Sequence, residues 1–440
     1  MRDYFYEIAD YLQSLMRGEE VWTASYTAED SDFVRFNHNR VRQAGSVQQR
    51  VVSIDLIQGR RHAAASTTLS GDLEIDRPRL RRLVEDQREM VPHLSEDPYL
   101  LYATEVRSSE RIDRSDLPPR EHAVNAVVRR GEGKDLVGIY AAGGIHAGFA
   151  NSLGQRNWFS SYSFNLDWSL YHNADKAVKS AYAGFVWNDA DLDARMRSAT
   201  RQLEVLARSP RTIDPGRYRV YLSPVALYEL LNTVSWGGFG LKDHRTKQTP
   251  LLRMVEGDAT LHPSVEITEN TAEGIAPDFQ SQGFIRPAKV SLIEQGCFRN
   301  CLASPRSAKE YGVPTNGAGS GESPFSIDMA PGSLAQGEVL QELGTGLYIN
   351  NLWYLNFSDR PACRMTGMTR FATLWVENGE IVAPVNVMRF DESIYRVLGQ
   401  NLLGLTQERD LILDSETYGG RSTRSGRLPG AIVDEFAFTL

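Results

Sequence analysis

Apolar positions set the first elements of the chain. Phe5, Ile8, Ala9, Leu12 and Leu15 recur at helical spacing, which predicts an amphipathic helix over residues 3 to 16. Alternation takes over from there. EVWTASYT, FVRFNHNRVRQ with a central Asn-His-Asn turn, VVSIDLI and RHAAASTTL read as strands, the last ending at Ser-Gly-Asp. A charged helix from about Glu74 to Met90 closes this unit.

Residues 92–118 are polar and punctuated by proline, so a linker with little structure of its own is predicted there. A second unit runs from 119 to 210. It offers a short helix near Arg120 to Arg130, strands at LVGIYAAGGIHAGFAN, QRNWFSSYSFNLDWSLY and KSAYAGFVW, and a long helix from about Asp189 to Arg208. Its strands hold nine aromatic residues between Trp158 and Trp187, the content of strands facing a core. The third unit, 211–440, opens with the strand YRVYLS and a helix that Ser223 can cap, with Pro224 at its first position and Gly237-Gly238 at its end. Beyond it, KVSLIEQG, GTGLYINNLWYLN, FATLWVENG and EIVAPVNVM are strand candidates between Gly- and Pro-rich loops. The expected class is α+β: helix-flanked sheet domains at 1–91 and 119–210, then a β-rich C-terminal domain at 211–440.

Bulk composition narrows the function classes. The 440 residues exceed what one core usually organises, and a net charge of -8 disfavours a general nucleic-acid binder. The five arginines between Arg77 and Arg88 are interleaved with Glu85 and Asp86, as on a solvated helix face. No stretch has the apolar length of a membrane span, the N-terminus is unlike a secretory signal, and three cysteines cannot form a disulfide framework. A cytoplasmic location, away from membranes, is therefore expected.

Candidate chemistry is sparse. No two of the eight histidines lie within five residues of one another, so no local zinc motif exists. Cys297 and Cys301, in CFRNC, could combine with His244 or His262, although two reduced cysteines on a strand and turn are the simpler reading. GSGESP, within the glycine-rich segment 311–324, lacks the lysine and following helix of a phosphate loop and reads as a flexible loop. LYELLNTVSWGGFG at 227–240 holds Tyr228-Glu229 and Thr233, which would form the zinc-binding helix of a peptidase if Tyr228 and Thr233 were histidines.

Several motifs, in order, carry a family resemblance: LIEQG at 292–296, PTNGAGSG at 314–321, Pro331-Gly332, GTGLYI at 344–349, MTG at 365–367 and VENGEIVAPV at 376–385. FVRFNHNRVRQAG and NSLGQRN extend the likeness toward the N-terminus. Together they resemble the TldD/PmbA family, labelled modulators of DNA gyrase, whose members act as metallopeptidases or their partner subunits. The resemblance implies that TldD-like members hold zinc with a His-Glu-x-x-x-His helix and a C-terminal cysteine, whereas TldE/PmbA-like members lack these ligands and pair with a TldD-like subunit.

Laid on this sequence, the helix motif falls on Tyr228 to Thr233. Glu229 is kept, both imidazoles are replaced, and SETYGGRSTRSGRLPG at 415–430 has no cysteine. The resemblance therefore implies a TldE/PmbA-like subunit without a metal of its own, zinc residing in a TldD-like partner, with unfolded peptide as substrate. Tyr228, Asn232 and Trp236 would line the chamber toward substrate or partner. A homodimer is the alternative assembly. Two other readings differ in class: an enzyme with a non-standard metal or thiol site drawn from Asp243, His244, His262, Cys297, Cys301 or Cys363, and a gyrase-modulating binding protein. The glycine-rich loop 311–324 and the arginine-rich segment from Arg421 receive no role from the sequence.

Overall fold

The computed structural model describes residues 1–173 and 176–439. Two sheets organise them. The first is built on long antiparallel strands: β1 (Val21–Asn37), β2 (Arg40–Gln58), β3 (Arg61–Thr68), β5 (Asp135–Asn151), β6 (Arg156–Asn173) and β7 (Lys176–Gly184), with a short parallel β4 (Ser109–Ile112) beside β6. His38 and Asn39, with φ of 49° and 54°, form the two-residue turn joining β1 to β2. Positive φ at both central residues matches the twist of an antiparallel hairpin.

β1 pairs with both β2 and β5, so one sheet runs through the units 1–91 and 119–210 that the sequence presented separately. The segment between them is not structureless, because it supplies β4. EVWTASYT and FVRFN prove to be two ends of the single strand β1, whose middle, AEDSD, is too polar to look like strand interior.

Period-2 geometry explains the division seen in the sequence. Even-numbered residues of β1, β5 and β6 share one face. At one end of that face Trp22, Tyr26, Ala150 and Trp158 pack beneath α1 (Arg2–Leu15) and α2 (Leu73–Met90). At the other end Val34, Phe36, Tyr140, Phe164, Trp168 and Leu170 pack beneath α3 (Arg120–Arg130) and α4 (Asp189–Leu206). Each helix pair resembles a separate unit, yet both lie on one sheet.

The second sheet belongs to residues 216–438. Its centre is β20 (Ser425–Phe438), which pairs with β8 (Gly216–Leu222), β12 (Ser326–Met329), β18 (Arg389–Ser393) and β19 (Leu402–Leu413). From β8 the sheet continues through β13 (Gly346–Ile349) and β16 (Thr373–Glu377) to β17 (Glu380–Pro384). From β12 it runs through β9 (Ile267–Glu269) and β10 (Val290–Glu294) to β11 (Cys297–Phe298), while β14 (Trp353–Asp359) and β15 (Arg364–Met368) extend β18. Leu374 joins the core beneath α4, so the two halves share apolar contacts.

The odd-numbered face of the first sheet turns toward this half. Phe149 and Phe159 pack with Phe279, and the Gln155 side-chain amide donates to the Gly283 carbonyl at 2.7 Å. The glycine-rich loop is pinned by hydrogen bonds rather than free: Glu322 is buried and accepts from the amides of Lys242 and Ser304, each at 2.8 Å, while Asn316 accepts from Ala303 at 2.9 Å.

Candidate functional site

α5 (Pro224–Val234) positions the candidate site. The Ser223 hydroxyl oxygen accepts from the Ala226 amide at 3.2 Å, and the same hydroxyl donates to the Asn350 carbonyl at 2.6 Å. This anchors the helix start to the strand end at β13. Gly237, with φ of 86°, allows the chain to turn away after the helix.

One side of α5 is apolar: Ala226, Leu227, Leu230, Leu231 and Val234 are buried in the C-terminal core. Val225, Tyr228, Glu229 and Asn232, spaced as one helical face, instead line a cavity of about 550 Å³ between the two halves. Asn165 and Asp167 of β6, Lys179 of β7, Arg195 of α4, Tyr348 of β13 and Asp410 of β19 form other walls. Tyr228 fits because β20 has a glycine beneath it: a Cβ at Gly426 would stand 2.6 Å from the tyrosine ring.

Acidic groups outnumber basic ones around the cavity. Asp167 meets Lys179 at 3.4 Å and Arg195 meets Asp410 at 3.0 Å, while Arg409 is drawn to Asp328 outside it. Glu229 has no ion-pair partner within bonding distance among the described residues. Burial raises its pKa above the ordinary carboxylate value; Lys179 opposes the shift, and Asp167 and Asp414 add to it. Asp167 is also raised by burial, against the pull of Lys179. Both carboxylates can therefore hold a proton closer to neutrality than exposed ones. Burial likewise raises the Tyr228 phenol, keeping it a neutral hydrogen-bonding group.

The other sequence candidates lie elsewhere. Thr233 faces the core, and its hydroxyl donates to the Glu229 carbonyl at 3.0 Å. Five positions past Tyr228, it has rotated off the cavity face, which Asn232 occupies instead. Trp236 is half-exposed beyond the helix end and does not line the cavity. His244 is half-buried against Phe298, bonds the Gly238 carbonyl at 2.7 Å, and has its pKa lowered by burial. Asp243 shares its short helical turn. His262 is exposed and pairs with the Ser264 hydroxyl, and Cys297 is exposed.

Burial raises the Cys301 thiol and pushes Cys363 up to about 12, so neither is poised as a thiolate. No group of three or more His, Cys, Asp or Glu is arranged to hold a metal among the described residues. Asp167, Lys179 and Asp414 are site residues that sequence reasoning missed. Only Asp167 had a signal, the polar alternation Ser161, Ser163, Asn165, Asp167 along β6, which looks like a solvent face.

Comparison with known proteins decides the family. Residues 215–440, just over half of the chain, match the family model described as the PmbA/TldA metallopeptidase C-terminal domain. The chain belongs to the TldD/PmbA family.

Solved structures give the same fold over nearly the whole length of this family member. TldE from Thermococcus kodakarensis is similar with a TM-score of 0.78 and 14% identity, covering 99% of this chain and 100% of that one. A candidate modulator of a DNA gyrase from Thermotoga maritima MSB8 has a TM-score of 0.78 and 14% identity over the same shares. Another, from Bacteroides thetaiotaomicron VPI-5482, has a TM-score of 0.76 and 15% identity, covering 99% of this chain and 98% of that one. No curated protein sequence matches. No helix among the described residues is long and apolar enough to cross a membrane.

Proposed function

We propose that this chain is a TldE/PmbA-like subunit that pairs with a TldD-like metallopeptidase in the cytoplasm and helps enclose the chamber in which unfolded peptides are cut. The observation that carries the reading is the cavity face of α5, where Tyr228 and Asn232 stand one helical turn apart with Glu229 beside them. A phenol kept neutral and a carboxamide do not match the imidazole and thiolate donors that zinc prefers. Cys301 and Cys363, both raised by burial, are not poised as thiolates. The residues present suit hydrogen bonding to a peptide backbone: Asn232 both donates and accepts, the Tyr228 phenol can do either, and Glu229 can accept an amide hydrogen. On this reading the chain binds and orients peptide, and the partner supplies the metal and the hydrolytic water.

The test is peptide hydrolysis by this chain alone, by a co-expressed TldD-like subunit alone, and by the two together, with an unfolded casein fragment as substrate. Cleavage that needs the TldD-like subunit and rises at least tenfold when this chain is added is expected. Equal cleavage by this chain alone would remove the reading.

A further inference from the structure

The arginine-rich segment between β19 and β20 crosses from one half of the molecule to the other. Asp414, Ser415 and Glu416 form part of the cavity wall. The next residues leave the second sheet and lie on the odd-numbered face of the first, where the Gln49 side chain donates to the Gly419 carbonyl at 2.9 Å. Asn165 holds the start of the segment, donating to the Leu413 and Asp414 carbonyls at 3.2 and 3.3 Å.

Arg421 closes the arrangement. Its guanidinium donates to the Gly143 carbonyl at 3.1 Å, to the Ser163 carbonyl at 3.0 Å and hydroxyl at 2.7 Å, and to the Ser31 hydroxyl at 3.4 Å. Its backbone amide donates to Glu29 at 3.1 Å, and Glu29 is itself buried. Gly143 has φ of 142° and sits so close to the Asp30 carbonyl that a Cβ would overlap it. A side chain is thus excluded at a position whose carbonyl Arg421 uses.

This is unusual construction for a hairpin connection. A half-buried cation and a buried carboxylate hold a loop against a different sheet, and burial lowers the arginine to about 10. At the crest, Tyr418 is 95% exposed, so the segment is fastened on both sides of a free aromatic residue.

We propose that residues 414–424 are a strap that gates the cavity, latched shut by Arg421 in the socket of Ser31, Gly143 and Ser163. Release of the latch would swing Asp414, Ser415 and Glu416 away from the wall and open a way in for an extended chain. The inference rests on the cavity being the place where peptide is held, but not on which subunit carries a metal.

Thiol accessibility tests it without a known ligand. In the full chain, with Cys297→Ser and Cys301→Ser removing the accessible thiols, Asn232→Cys places one sulfur in the cavity. Its labelling rate by fluorescein maleimide is measured with Arg421 intact, with Arg421→Lys and with Arg421→Ala. Acceleration of tenfold or more in Arg421→Ala, with Arg421→Lys between, is expected. A rate within twofold of the parent in a folded Arg421→Ala variant overturns the gate. Should Arg421→Ala fail to fold, Gln49→Ala, which frees the Gly419 carbonyl and the Glu29 carboxylate while leaving Arg421 in place, is expected to raise the rate at least threefold, and an unchanged rate there overturns it equally. Peptide hydrolysis by the paired subunits is a separate readout, so failure of the gate and failure of the subunit reading remain distinguishable.

Discussion

The two faces of β6 are both buried, yet they do opposite things. On the even face Trp158, Phe164, Leu166, Trp168 and Leu170 are packed under helices. On the odd face Ser161, Ser163, Asn165 and Asp167 are covered by the C-terminal half, and they hold the strap and one wall of the cavity. One face contributes stability through apolar area, and the other spends polar groups on position. The difference teaches that a strand alternating aromatic and polar residues need not have a wet side. Its polar side can be the functional one.

Substitutions on the two faces sharpen that contrast. The largest effect is expected for Trp168→Ala, which empties a fully buried site beneath α3 and α4. A loss of about 3–5 kcal/mol is expected in urea denaturation, read at the transition of the first sheet. If the loss is under 1 kcal/mol, the even face is not the core it looks like.

Gly426→Ala probes the cavity from beneath. The added methyl must displace the Tyr228 ring, at a cost of about 1–3 kcal/mol. Tyrosine fluorescence and amide exchange of α5 would register the shift, and a neutral result would mean that Tyr228 is not seated on β20.

Asn165→Ala removes two hydrogen bonds to the strap and is expected to cost about 1 kcal/mol. The telling measurement is amide exchange at 413–416, which should accelerate while that of β6 stays as it was. Acceleration spread over the whole sheet would make Asn165 an ordinary core residue.

An effect of similar size carries the opposite sign. Because burial raises the Glu229 and Asp167 pKa values, the folded state binds protons that the unfolded state has released, so stability falls as pH rises through the window from the ordinary carboxylate value to the raised one. Glu229→Gln removes one of these groups and is expected to stabilise the chain at pH 7 by about 1 kcal/mol. The gain should vanish below the ordinary carboxylate range. Equal stability of the two proteins at every pH would place Glu229 in water.

The same contrast explains what the sequence could tell. α5 was legible in full, from the Ser223 cap to Gly237, because caps and stops are local. The 38–39 turn was legible for the same reason. β4 was not, since the four residues SERI have no pattern of their own and are strand only because β6 lies alongside. Nor was the union of two units in one sheet, which depends on β1 meeting β5 across more than a hundred residues.

Of the residues lining the cavity, Tyr228 and Asn232 were named once the family resemblance had drawn attention to the helix, and Glu229 stood only as the retained member of the degenerate motif. Thr233 and Trp236 do not line the cavity, because a helix turns 100° per residue and ends at Val234. Asp167, Lys179 and Arg421 were invisible: a polar strand face and an arginine-rich segment look solvated until something distant covers them.

We propose that this family member lends a wall and a binding surface to a partner's metal site. Native mass spectrometry of the chain co-expressed with a TldD-like subunit, read for subunit masses and bound metal together, tests it most directly. A one-to-one heterodimer carrying a single zinc, retained by the TldD-like subunit after dissociation, is the predicted result. A homodimer of this chain that holds its own zinc would contradict it.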